Sequence, residues 1–223
     1  MKPETFSKRE AIQFGWQTMK ENFLSFVVIL ASTYVISSIP SFLINFVIKD
    51  KPTLSLFIYF ASIIISILIA MGYVRIALKL CDHEKAKFTD MFMSYPIFFN
   101  YLVGSCIYAL IVVVGLFIFI VPGIIWGIKY QFYGYFIIDK GYEPLQALKK
   151  SSEITKGVKV DLYLFMFITT CLNLLGILAL VIGLFATVPT TMVAYAYVYR
   201  RLTSRTGALP TSPTQGTIAN PER

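Results

Sequence analysis

Lys129 is the residue of this chain that most plainly invites chemistry inside an apolar environment. It lies in the long apolar stretch Ile97–Ile138, which contains no aspartate or glutamate to pair with it. A lysine in that position must extend to lipid phosphates, bond to backbone carbonyls or meet an anion. Six helical residues place Lys129 roughly 9 Å from the outer turn predicted at Gly123. Two interpretations stay open: contact with outer-leaflet phosphates, and binding of an anionic substrate or lipid headgroup.

Aromatic side chains share the predicted helix face of Lys129. Trp126, Tyr130 and Tyr133 recur at helical spacing, a pattern typical of anchors at a membrane interface. A lipid-binding groove is the alternative. Asn173 lies on a later predicted helix, where interhelical hydrogen bonding is the default interpretation and a polar path for solute is the alternative. These five residues are the candidate ligand or lipid contacts.

The sequence does not favour a metal site or acid–base catalysis. The run Cys81–Glu84 holds four metal-capable side chains, but consecutive residues cannot all converge on one ion. His83 is the only histidine, and the sequence has no glycine-rich phosphate loop. We therefore predict no catalytic residue, no cofactor and no metal, and we expect the three cysteines to form no disulfide framework.

Apolar stretches define the elements that must carry these residues. The chain has 223 residues, 57% of them hydrophobic, concentrated in four blocks. A membrane-spanning helix needs about 20 residues, so the first two blocks predict one span each and the last two predict two each. Proline and glycine predict the hairpin breaks within the long blocks, at Pro122-Gly123 and at Pro189. The predicted spans are about 24–48, 54–80, 97–120, 123–139, 162–182 and 187–200.

The positions of lysine and arginine predict the orientation of these spans. Except for Lys49, Lys51 and Lys129, the twenty basic residues lie before the first span, near the end of an even-numbered span, or in the segments after those spans. The positive-inside rule therefore places both termini in the cytoplasm. The net charge of +8 suits contact with anionic headgroups, whereas the scatter of basic residues argues against nucleic-acid binding. Residues 1–202 form one predicted membrane domain, and 203–223 a polar tail expected to be disordered.

Each pair of predicted spans follows a short amphipathic segment, so the chain reads as one unit written three times. The first segment starts at Ser7, which forms an S-x-x-E capping box with Glu10. The second is Phe88–Met93, and the third starts at Glu143-Pro144 and ends near Gly157. We expect all three to bury their apolar faces in the cytoplasmic headgroup layer. The predicted fold is an all-α integral membrane protein with three hairpins, each preceded by an interfacial helix.

The most distinctive motifs lie in three segments: Ile120–Tyr130, Asp139–Ser152 and Thr155–Gly157. They resemble a large group of poorly characterised prokaryotic polytopic membrane proteins, related to the membrane domain attached to some glycerophosphodiester phosphodiesterases. The last apolar block, with Asn173 and Tyr199-Arg200, is similar to the closing hairpin of that group. The resemblance covers most of the chain and implies a six-helix fold. It implies no catalysis, because no segment could form the soluble phosphodiesterase barrel.

Three classes of function stay in consideration. The first is a non-enzymatic protein of the cell membrane that organises lipid or scaffolds partner proteins, and it is the one we predict. Its support is the three amphipathic segments and the scarcity of charge within the spans. The second is a small transporter or channel for an anionic or lipid-like solute, which would need a water-lined path. The third is a membrane-embedded lipid enzyme, which lacks a recognisable catalytic set. A homo-oligomer or a membrane-protein partner is compatible with all three.

Overall fold

The computed structural model describes residues 6–47, 51–179 and 183–206, and all secondary structure in these ranges is helical. The α-helices are α1 (Lys8–Glu21), α2 (Phe23–Phe42), α3 (Pro52–Cys81), α4 (Phe98–Ile118), α5 (Ile120–Tyr130), α6 (Tyr133–Lys140), α7 (Pro144–Ile154), α8 (Lys159–Leu178) and α9 (Leu184–Arg205). A π-helical turn, Leu43–Val47, continues α2, and 3₁₀ helices occupy Phe88–Phe92 and Tyr95–Ile97.

Four helical stretches in the described ranges are long and apolar enough to cross a membrane. They are Phe23–Phe46, Pro52–Cys81, Phe88–Ile118 and Lys159–Leu178. The prediction of an all-helical chain with several membrane-spanning helices is confirmed at this level. The predicted ends of the first and fifth spans, at 48 and 182, lie outside the described residues.

The outer helices carry the exposed apolar surface. Large apolar side chains are exposed mainly along α2, the first half of α3, the second half of α4 and α8. On α8 this surface runs from Val160, 73% exposed, to Leu178, 72% exposed. That stretch is about 27 Å long at 1.5 Å per residue, close to the ~30 Å of a bilayer's hydrocarbon core. Water-soluble proteins rarely expose so continuous an apolar surface, whereas hydrocarbon accepts it without penalty.

The last helix, α9, lies at the centre of the fold. It contacts α1, α2, α3, α7 and α8, and none of its large apolar side chains is exposed. Its buried residues include threonines and small residues as well as Tyr199. Protein rather than lipid surrounds α9, which explains why its sequence is less apolar than that of the outer helices.

The predicted hairpin break at Pro189 is wrong. Pro189 lies inside α9 and is buried; α8 ends at Leu178 and α9 begins at Leu184, before this proline. Gly176 of α8 and Gly183, which precedes α9, approach each other closely. Proline within a helix removes one backbone hydrogen bond, but the packing around α9 holds the helix through this position.

The end of α9 also differs from the prediction. The helix continues to Arg205, with Leu202 and Thr203 completely buried. The predicted start of the tail at residue 203 is therefore too early, because packing against the core extends the helix into a polar sequence. The rest of the predicted tail, 207–223, lies outside the described residues.

The predicted span 123–139 is divided into α5 and α6 by Gln131 and Phe132. The turn that precedes it is at Phe119, whose backbone is extended, rather than at Pro122-Gly123. Pro122 lies in the first turn of α5. Backbone N–H groups there have no acceptor within the helix, so the N–H that proline lacks costs no helical hydrogen bond. Gly123 packs closely against Leu116 and Gly115 of α4, so its role is close approach between helices rather than the turn itself.

The three amphipathic segments pack against protein through one side, and the expectation that they also bury apolar side chains among headgroups stays a prediction. Ala11, Gly15 and Met19 of α1 are buried, with Gly15 against α9. Met91 of the 3₁₀ helix Phe88–Phe92 packs against Gly72 of α3. The buried face of α7, which includes Ala147, contacts α4, α5 and α6. Small residues at these contacts let the short helices lie close to their neighbours.

Candidate functional site

Ion pairs join five helix ends in one region of the structure. At the start of α1, the Lys8 ammonium lies 2.8 Å from Asp161 at the start of α8. Arg200, near the end of α9, pairs with Asp82, just beyond the end of α3, and with Asp139, near the end of α6. Helices that begin and helices that finish here are therefore held at a common level, as the predicted topology requires of the cytoplasmic side.

Arg200 is the centre of this network. Its guanidinium donates to Asp139 at 2.8 Å through Nη1 and to Asp82 at 3.0 Å through Nε. The buried Tyr199 hydroxyl also donates to Asp139, at 2.9 Å. The Asp139 side chain is 11% exposed and that of Arg200 is 24% exposed. A guanidinium already held by two carboxylates is poorly suited to bind a further anion, so this arginine cross-links α3, α6 and α9.

The sequence patterns did not predict the Arg200 network. The Tyr199-Arg200 motif, and the position of Asp139 at the boundary of an apolar block, were the features of the sequence that pointed to it. The partners are 118 and 61 residues away from Arg200 along the chain, and no local pattern shows which acid an arginine will meet.

A second, more exposed group joins α1 to α9. Ser7 caps α1 by accepting the Glu10 N–H at 3.3 Å, as the capping box predicts. The Glu10 carboxylate, however, accepts from the Tyr197 hydroxyl at 2.7 Å and from Arg201 at 3.1 Å. The Tyr197 hydrogen bond and the Arg201 charge hold the pKa of Glu10 below its usual value. Tertiary contacts have replaced the second half of the capping box.

Asp90 fastens the loop after α3 to that helix. Its carboxylate lies 2.9 Å from the Lys79 ammonium and accepts the Lys87 N–H at 2.8 Å. The Lys79 ammonium and the Lys87 N–H together hold this carboxylate, which is 6% exposed, and so position Met91 on α3.

Lys129 lies in the last turn of α5, at the opposite end of that helix from Phe119. Its backbone carbonyl accepts hydrogen bonds from Ser151 at 3.1 Å and Thr155 at 3.0 Å, which places it beside α7. The ammonium lies 4.8 Å from the centre of the Tyr130 ring, a cation–π contact. Because the turn before α5 is at Phe119 rather than at Gly123, Lys129 lies about 15 Å of helix from that turn, instead of the roughly 9 Å predicted.

The predicted aromatic face is divided between two helices, because Trp126, Lys129 and Tyr130 lie on α5 and Tyr133 begins α6. Tyr133 stacks on Tyr108 of α4, with ring centres 5.0 Å apart, and its hydroxyl lies 2.9 Å from that of Ser105. Trp126 packs close to Gly115, also on α4. Of the predicted set, only Lys129 and Tyr130 contact each other through the cation–π pair. Trp126 and Tyr133 serve packing against α4.

Asn173 lies in the contact between α8 and α9. Its amide nitrogen donates to the Thr191 hydroxyl at 3.4 Å, while its buried Oδ1 has no hydrogen-bond partner in the described part of the chain. The hydroxyls of Thr169 and Thr191 donate mainly to carbonyls of their own helices. These hydrogen bonds favour a role of Asn173 in packing α8 against α9 over the alternative interpretation, a polar path for solute.

Ser151 closes the interruption between α5 and α6. Its hydroxyl donates to the Lys129 carbonyl and accepts the Phe132 N–H at 3.1 Å. Both backbone groups lie where the helical ladder is broken, and Phe132 is completely buried. A side chain from α7 therefore satisfies polar groups that lipid could not satisfy.

We expect Ser151→Ala to lower the free energy of unfolding by about 1–3 kcal/mol, because it leaves the buried Phe132 N–H without a partner. Ser152→Ala is the matched control, since the neighbouring side chain takes no part in this contact, and it should change stability little. Thermal unfolding of both purified variants in the same detergent makes the comparison. Equal melting temperatures would show that water or another group replaces the Ser151 hydroxyl.

No group of three or more histidine, cysteine, aspartate or glutamate side chains suited to a metal ion occurs in residues 6–47, 51–179 and 183–206. Within the run Cys81–Glu84, Asp82 is engaged by Arg200 and His83 packs against Phe14. Cys81, Cys106 and Cys171 are free thiols.

Comparisons with protein-family models, with curated proteins and with solved structures find no match to this chain. The resemblance to the membrane domain of glycerophosphodiester phosphodiesterases consequently stays a prediction from the motifs.

Proposed function

We propose that the chain is a non-enzymatic protein of the cell membrane that crosses the bilayer six times and binds anionic lipid on the cytoplasmic side. Both termini would lie in the cytoplasm. One observation carries this proposal: the exposed apolar surface of the outer helices adjoins a region where five helix ends meet in ion pairs. Apolar surface suits hydrocarbon, and a charged end suits headgroups and water.

The helices outside the four long apolar stretches supply the remaining crossings in this proposal. The helical residues of α5 and α6 add up to about 28 Å at 1.5 Å per residue, and both helices pack against α4. α9 packs along α8, with Tyr195 against Phe165 and Thr191 against Asn173. Non-helical backbone at membrane depth is tolerated where protein covers it, as Ser151 does at the interruption.

Lipid binding is supported by a groove between α1 and α8. Its volume is about 620 Å³, in the range of small-ligand sites. Its lining combines cations, an exposed tryptophan and aliphatic side chains: Lys8, Arg9, Ile12, Gln13, Trp16 and Ile168. Tryptophan prefers the headgroup level of a bilayer. Basic residues beside it attract anionic headgroups at about 1 kcal/mol each.

Labelling of single cysteines tests the topology. In a variant lacking the three native cysteines, a membrane-impermeant thiol reagent added outside intact cells should label Lys51→Cys but not Lys85→Cys or Lys150→Cys. Six crossings also predict external labelling of Phe119→Cys, at the turn between α4 and α5.

Lysed cells provide the control, since all four cysteines should then react. External labelling at residue 85 or 150 would overturn the cytoplasmic assignment. Labelling at residue 51 without labelling at residue 119 in intact cells would mean that α4 and α5 enter the membrane without crossing it.

A further inference from the structure

A second groove lies between α5 and α8, and its walls are almost entirely aliphatic. Its volume is about 460 Å³, and it is lined by Val121, Ile124, Ile125, Ile128, Val160 and Tyr163, with Lys159 as the single charged residue. Volumes of this size are typical of small-molecule sites. An aliphatic groove with one cation is complementary to an amphiphile that has an apolar chain and an anionic head.

Two further lysines lie within three residues of this groove's lining along the chain. Lys129 directly follows the wall residue Ile128, and its carbonyl is bonded by Thr155, the neighbour of Lys156. Lys159 itself lines the groove. These lysines come from two segments that are distant in sequence, and α7 brings the two segments together.

The nearby carboxylates are already engaged. Asp161 pairs with Lys8, and Glu153 pairs with Lys150, both at 2.8 Å. Within the described ranges, Lys129, Lys156 and Lys159 form no ion pair with a carboxylate. The groove end therefore carries unneutralised positive charge, which favours an anionic group.

We propose that the α5–α8 groove binds an anionic glycerophospholipid of the surrounding bilayer. An acyl chain lies along the aliphatic walls, and the phosphate lies against the Lys159 ammonium. Lys159 begins α8 beside the ion pair of Lys8 with Asp161, so the headgroup is at the charged end of the molecule. This site rests on the proposed lipid-binding function and gives it a location and a ligand class.

Lipid titration with native mass spectrometry tests this site. The detergent-purified chain is titrated with phosphatidylglycerol and, separately, with phosphatidylcholine of the same acyl chains. Wild type should retain phosphatidylglycerol more strongly, and Lys159→Gln should reduce that preference about fivefold, the loss expected from one lysine at an anionic surface. Val160→Trp fills the groove without removing charge and should reduce binding of both lipids.

Two variants serve as controls. Lys20→Gln removes an exposed lysine of α1, and Val113→Trp adds a bulky residue to the exposed surface of α4. Neither should change lipid retention, and melting temperatures establish that all variants remain folded.

Each pattern of results has a defined meaning. Unchanged phosphatidylglycerol retention in Lys159→Gln and Val160→Trp would overturn the α5–α8 site, while wild-type preference for that lipid would leave the proposed function standing. Equal retention of the two lipids by wild type would overturn the proposed function and this site together. Loss of retention in all variants, controls included, would also overturn the site, because binding would then follow general surface properties.

Discussion

Replacing Arg200 by methionine is expected to lower the free energy of unfolding by about 3 kcal/mol, the lower end of the range for breaking a buried ion pair. The change removes the cross-link between α3, α6 and α9, and it leaves the Asp139 carboxylate, only 11% exposed, with the more distant Lys140 ammonium at 3.4 Å as its counter-ion. Chemical or thermal unfolding in detergent measures the loss. Methionine keeps an apolar stem of similar length, so lost packing contributes little.

The adjacent Arg201 is a matched control for Arg200. Its pair with Glu10 is exposed, at 55% and 56% of the two side chains, and exposed pairs contribute about 0–1 kcal/mol. Arg201→Met should therefore leave stability nearly unchanged. Adding Asp139→Asn to Arg200→Met should restore part of the lost stability, because it removes the carboxylate charge that Arg200 no longer balances. Similar stability of the two arginine variants would show that Arg200 is not a structural cross-link.

Replacing Gly15 by alanine is expected to destabilise the protein by about 1–3 kcal/mol, the usual effect of overpacking a close contact. A Cβ at this position would overlap the Thr190 carbonyl oxygen and lie 3.2 Å from the Ala194 nitrogen. Backbone atoms cannot move aside as a flexible side chain can, so α1 must shift away from α9. Thermal unfolding in detergent measures the change.

Gly127→Ala is the matched control within another helix. A Cβ there would meet the Tyr108 hydroxyl at 3.8 Å and the Val112 side chain at 3.9 Å, which is ordinary contact. Alanine also has higher helix propensity than glycine by about 1 kcal/mol, so this variant should be neutral or more stable. If Gly15→Ala were equally benign, the close packing of α1 on α9 would be incorrect.

Local sequence patterns determined much of the secondary structure. Ser7 caps α1 and Pro144 begins α7, as predicted. The long helices α2 and α3 also agree closely with the predicted spans. These features depend on interactions within a few residues and on the length of an apolar run, both of which can be read directly from the chain.

Local patterns were misleading where the neighbouring helices decide the outcome. Pro189 predicts a break, but it is buried inside the central helix. Lys129 and Tyr133 share a face only if one helix contains both, and the interruption at Gln131-Phe132 separates them. An apolar residue has the same hydropathy against lipid and against protein, so the sequence does not show which helix lies at the centre.

By itself, the sequence determined an all-helical chain with several helices suited to a membrane and with basic residues concentrated in particular segments. The tertiary structure alone decided that α7 supplies Ser151 to the interruption and that Arg200 meets Asp82 and Asp139. It also decided that α5 and α8 form a groove ending at Lys159. The physical reason is range: helix formation depends on near neighbours, whereas an ion pair or a groove needs surfaces from distant segments that meet only after packing.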